Sequence, residues 1–105
     1  MAMSYSPHVA IEVADHREAA RFYQHAFGMR LVAEDEGASE LQLGPMTFHV
    51  VSAPTGITCF EFRTDDLEQE RERLVLAGCK VSRVHSAKQI QMEDPFGLRF
   101  HLYQE

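Results

Sequence analysis

The chain writes one pattern twice, and that repeat limits its fold more than any other feature. Residues 8 to 13, HVAIEV, set Val9, Ile11 and Val13 on one side of an extended segment and His8, Ala10 and Glu12 on the other. This is the alternation of a half-buried strand. Asp15 then offers its carboxylate to the free amides of a helix's first turn, with Glu18 three residues on as in a capping box. Ala19, Phe22, Tyr23, Ala26 and Phe27 supply an apolar stripe, and Gly28 ends the helix in the left-handed region. Three strand candidates follow, at about 30–34, 40–43 and 46–52, broken by Glu36-Gly37 and Gly44-Pro45.

From Ile57 the order restarts. ITCFEFRT alternates, Asp65-Asp66 offers a cap, and LEQERERLVLAG carries Leu67, Leu74 and Ala77 before Gly78. Strand candidates at about 80–84, 88–93 and 98–103 close the chain, the last entered through the turn Asp94-Pro95-Phe96-Gly97. Spacing tests the repeat. His8 to Gly28 is 20 positions and Cys59 to Gly78 is 19; His8 to His49 is 41 and Cys59 to His101 is 42. The expected fold is α+β, one domain over residues 1–105 made of two tandem βαβββ modules, about 8–53 and 57–104, with the helices on the outer face of a mixed sheet.

Composition narrows the function. The chain has 105 residues, 45% of them hydrophobic, and 16 acidic against 10 basic residues give a formal charge of −6. Nucleic-acid binding needs a basic stripe, which this balance disfavours. No apolar run approaches the roughly 20 residues that span a bilayer, and the start MAMSYSPH has no charged-then-apolar leader, so a cytoplasmic protein without membrane contact is expected. A pairing of Cys59 with Cys79 is the weaker expectation in such a compartment. A small domain leaves much surface exposed, so association would help it.

One helix covers one face of each module's sheet, on Val9, Ile11 and Val13 or on Phe60 and Phe62. Four residues hold equivalent points on the other face: His8 and Cys59 on the first strands, His49 and His101 on the last. Phe48 and Val50 flank His49 as Phe100 and Leu102 flank His101, so both histidines point away from the helix side. On that same face Glu61 stands two residues beyond Cys59 and Glu12 four beyond His8, while Arg99 and Tyr103 flank His101. Glu61 is the expected general acid or base, with Tyr103 a donor to an oxyanion and Arg99 and Glu12 substrate contacts. The plain alternative pairs Glu61 or Glu12 with Arg63 or Arg99. His16, His25 and His85 read as solvated, at a helix start, within a helix and in a loop; Phe22, Tyr23 and Phe27 read as core.

The sequence resembles the vicinal oxygen chelate superfamily, which includes glyoxalase I, bleomycin and fosfomycin resistance proteins and extradiol dioxygenases. The carriers are HVAIEVADHREAARFYQHAFGMRLV, whose RFYQHAFGM matches the family's helix end, and EDPFGLRFHLYQ, which matches its DPxG approach to the final strand. The resemblance covers essentially the whole chain. It implies a cupped sheet, a divalent metal in the cup, and metal positions at His8, His49, Cys59 and His101. Only His8 keeps the family's common residue. His49 and His101 stand where glutamate is usual and Cys59 where histidine is usual, yet each replacement is itself a metal ligand. Cups in the family are often built from modules of two chains, which implies a homodimer.

Imidazole and thiolate suit a divalent transition metal, zinc first, with iron, nickel or copper as alternatives, over magnesium or calcium. All four donors together make a closed structural site. Three histidines without Cys59 leave an open position for water or substrate. The absent glutamates speak against glyoxalase I itself. A lyase, isomerase or dioxygenase acting on a small oxygen-bearing substrate is expected, with a bleomycin-resistance-like binding protein as the rival.

Overall fold

The computed structural model describes residues 3 to 105. Met1 and Ala2, part of the start on which the leader reading rests, lie outside them. The elements run β1 (Met3–Val13), α1 (His16–Phe27), β2 (Arg30–Glu34), β3 (Ala38–Leu43), β4 (Met46–Ser52), β5 (Thr58–Thr64), α2 (Leu67–Leu76), β6 (Lys80–Ser86), β7 (Gln89–Glu93) and β8 (Arg99–Tyr103). The α+β class and the doubled strand, helix, three-strand order hold. Among the described residues no helix is long and apolar enough to cross a membrane. No disulfide joins Cys59 and Cys79.

The chain divides into two compact units, one of residues 7–58 and the other of residues 59–105 together with the N-terminal residues through Ser6. In the first unit the strands lie in the order β2-β3-β4-β1. β1 and β4 are parallel, with Ala10 opposite His49, and β3 runs antiparallel to β2 and β4. Asp15 caps α1 as expected, accepting from the amides of Arg17 and Glu18, and Gly28 closes it at φ 74°. Ala20, Met29, Leu41 and Val50 form the core, with Val13, Ala19, Tyr23, Leu31 and Phe48 against it.

The helix meets the sheet differently from expectation. Phe22 and Phe27 are 57% and 55% exposed, while Ala20 is buried. Small Ala19 and Ala20 let the helix lie close to the sheet, so the rings of Phe22 and Phe27 fall to its flank, where they meet each other and Tyr23 edge-on or tilted at centroid distances of 5.5 to 5.8 Å. His16 also departs from its expected solvated state. It is 3% exposed, with Nδ1 2.8 Å from Ser39 Oγ and Nε2 donating to the Glu36 carbonyl at 3.0 Å.

The second unit repeats the plan in the order β5-β8-β7-β6, with the opening residues of β1 beside β5. β5 and β8 are parallel, and Glu61 lies opposite His101. Asp66 caps α2 by accepting from the Gln69 amide. Leu67, Leu74, Ile90, Met92, Phe100 and Leu102 make the core, joined by Met3 and Phe62. Phe60 is 45% exposed, so Phe62 alone of that pair reaches the helix side. Two boundaries shift. β1 starts at Met3, five residues before the alternation becomes apolar, and β6 runs on to Ser86, which makes His85 a strand residue and not a loop one.

Candidate functional site

Strand pleating decides which side chains can meet. In the first unit Phe48 and Val50 turn to the helix, so His49 between them turns to the opposite face, as does His8 on the neighbouring strand. The two imidazoles stack at a centroid distance of 5.1 Å and an interplanar angle of 24°. His8 Nδ1 and His49 Nε2 stand 2.9 Å apart, one ring donating to the other. On the far side of His49, Glu40 of β3 is its direct cross-strand partner, with Glu40 Oε1 3.9 Å from His49 Nδ1. Both line a cleft of about 130 Å³ with Glu34, Asp35 and Ser39.

Glu12 lies further along β1. Its Oε1 accepts from the Thr55 hydroxyl and, at 3.5 Å, from the Ile57 amide, which ties the turn after β4 to the strand. The cleft's other carboxylates are also committed. Glu34 takes the Arg17 guanidinium at 3.1 Å and the Ser39 hydroxyl at 2.7 Å. Asp35 accepts from the amides of Gly37 and Ala38 at 2.8 and 2.9 Å. These amides, Gly37 foremost, hold the Asp35 carboxyl below its ordinary value.

In the second unit the same parity sets His101 opposite the core residues Phe100 and Leu102. Its register partners are Glu61 on β5 and Gln91 on β7, and the ring of His85 meets it edge-on at 5.0 Å. Ser6, almost fully buried, donates to Glu61 Oε2 at 2.5 Å. Cys59 is buried. Arg99 is exposed and lies opposite Glu93; Tyr103 is half-buried opposite Gln89. Arg63 pairs with Glu105 at 3.6 Å, whereas Glu61 and Glu12 are held by Ser6 and Thr55 respectively.

The structure therefore brings His8 to His49, His85 to His101 and Ser6 to Glu61. Among the described residues no three His, Cys, Asp or Glu side chains are gathered in metal-holding geometry. The spacing of the His8 and His49 nitrogens is nonetheless close to that of two ligands on one metal ion. Two nitrogens on one tetrahedral zinc at about 2.05 Å lie about 3.3 Å apart, so a small opening of the 2.9 Å contact would admit the ion.

Sequence reasoning missed Glu40, Ser6 and His85. Glu40 was legible as a strand start, and its neighbour across the turn could have been found by pairing the second and third hairpin strands about Gly44-Pro45. Ser6 and His85 fall outside the strand bounds that alternation alone gives and carry no such signal.

The family model for the glyoxalase-like domain matches residues 8–103. None of the curated protein sequences matches this chain. Among solved structures, a hypothetical protein from Bacillus halodurans C-125 superposes with a TM-score of 0.73 at 14% identity, over 100% of this chain and 96% of that one. A glyoxalase/bleomycin resistance protein/dioxygenase superfamily member from Vibrio splendidus 12B01 gives 0.71 at 14%, over 98% and 97%. Homoprotocatechuate 2,3-dioxygenase from Arthrobacter globiformis gives 0.72 at 18%, over 99% of this chain and 37% of the larger enzyme. At such identities the neighbours speak for the fold alone. The doubled βαβββ plan, the polar face opposite each core and the family match over nearly the whole chain lead to one conclusion: this chain belongs to the glyoxalase-like domain family of the vicinal oxygen chelate superfamily.

Proposed function

We propose that this protein is a metal-dependent enzyme acting on a small substrate through two adjacent oxygens, in a lyase, isomerase or dioxygenase reaction. The observation that carries this reading is the 2.9 Å approach of His8 Nδ1 to His49 Nε2. Two imidazole nitrogens this close would supply half of a tetrahedral transition-metal site, and their chemistry favours zinc, iron, nickel or copper. When bound, such an ion would polarise the substrate oxygens as a Lewis acid. Cys59 and His101 enter the proposal as further donors on chemical grounds alone.

The remaining residues act on protons and charge. Glu61 accepts a substrate proton, its carboxylate kept in place by the Ser6 hydroxyl. Tyr103 donates its hydroxyl to a developing oxyanion, and the exposed Arg99 guanidinium anchors an anionic group. Glu12 meets substrate through its second oxygen, its Oε1 being held by Thr55 and Ile57. Exposed Phe22, Phe27 and Phe96 supply apolar area for a second copy to cover in a homodimer.

Elemental analysis of the purified protein tests the reading. One equivalent of zinc, iron, nickel or copper per chain or per dimer, lost on substituting both His8→Ala and His101→Ala, supports it. Metal-free protein that takes up planar apolar compounds would replace it with sequestration of the bleomycin-resistance kind.

A further inference from the structure

We infer that Glu40 is a positioning residue, which fixes the proton of His49 on Nδ1 and turns the unprotonated Nε2 toward His8. The inference rests on the metal reading above and adds a residue to it. An imidazole binds a cation only through an unprotonated nitrogen, and the hydrogen bond made by the other nitrogen decides which one that is. His49 presents Nε2 to His8 and Nδ1 to Glu40. A carboxylate 3.9 Å from Nδ1 can only accept, so it favours the tautomer with the proton on that side. Its charge also offsets the positive charge that a cation would bring to the pair.

The fold makes this juxtaposition a matter of register and not of chance side-chain placement. Glu40 and His49 are direct partners across the antiparallel β3 and β4 pair, on the same face of the sheet. Their side chains are 38% and 39% exposed, so Glu40 can close the remaining ångström by a modest rotamer change. The second module supplies an internal comparison. There Gln91 on β7 lies opposite His101 on β8, as Glu40 lies opposite His49. The repeat thus keeps a polar partner on the antiparallel neighbour of each last-strand histidine, charged in the first module and neutral in the second, where the charged partner Glu61 lies on the parallel neighbour β5 instead. Glutamine in place of Glu40 is therefore a substitution the fold already accommodates at the equivalent point.

The experiment compares the full chain with Glu40→Gln and Glu40→Asp by two readouts. Nitrogen-15 shifts of the His49 ring, recorded without metal at a pH where the ring is neutral, report the tautomer. Zinc titration reports affinity. The expected result is loss of the Nδ1–H preference in Glu40→Gln and a 10- to 100-fold weaker zinc affinity, with partial recovery in Glu40→Asp and an unchanged unfolding midpoint. An unchanged tautomer in Glu40→Gln overturns the inference, as does wild-type zinc affinity in that variant. If the wild-type chain binds no zinc, the metal reading fails by itself, and the ring shifts still decide the role of Glu40.

Discussion

His16 Nδ1 stands 2.8 Å from Ser39 Oγ, and Ser39 in turn donates to Glu34 at 2.7 Å. Arg17 closes this chain by donating to Glu34 and to the Asp35 carbonyl at 2.9 Å. The start of α1 is thereby fastened to the turn between β2 and β3, the same turn that walls the cleft beside Glu40 and His49.

Removing His16 should cost stability out of proportion to its size. In His16→Ala the Glu36 carbonyl and the Ser39 hydroxyl each lose a partner, and each group left unsatisfied costs about 1 to 3 kcal/mol. A loss of about 2 to 4 kcal/mol is expected by urea denaturation. A change within about 0.5 kcal/mol would mean that the network is replaced by water at no cost.

Asp35 gives the turn an acid limit. Its carboxyl is held below the ordinary value by the Gly37 and Ala38 amides, so the charged form is the one that the folded state favours. The stability it contributes is present above the unfolded carboxylate value and is lost as pH falls through the lower folded one. The gap in urea midpoint between wild type and Asp35→Asn should therefore be widest near neutrality and narrow as the pH is lowered. A gap that is constant with pH would show that the amide bonds do not depend on the charge.

Glycine content at the two helix ends is not interchangeable. Gly28 has φ 74° and open space where a Cβ would stand, whereas Gly78 has φ 113° and would set a Cβ 3.0 Å from Pro95 Cγ. Gly28→Ala is expected to cost about 1 kcal/mol through backbone conformation alone. Gly78→Ala should cost more, because φ 113° lies further from any region alanine tolerates and Pro95 must also yield. Equal thermal shifts in the two variants would contradict that ordering.

Much of this fold was legible because its signals are local. Asp15, Asp66 and Gly28 do at the helix ends what their side chains or lack of one allow, and strand parity alone put His49 and His101 opposite their core neighbours. What was not legible depends on contacts distant in sequence. The start of β1 is polar and holds Pro7, a residue that ordinarily argues against a strand, yet Met3 joins the core formed by residues from Leu67 onward. His16 reads as a surface residue until the β2 to β3 turn is folded over it. Helical spacing could not say that Ala20, and not Phe22, would face the sheet. Among site residues, His8 with His49 followed from alternation, whereas Glu40 required knowing the register of β3 against β4.

Anomalous scattering from a zinc-soaked crystal tests the central claim most directly. The expected result is a peak at the zinc edge about 2.0 to 2.1 Å from both His8 Nδ1 and His49 Nε2, absent from His49→Ala. A zinc-soaked crystal with no peak there, and the two nitrogens still in direct hydrogen-bond contact, would contradict it.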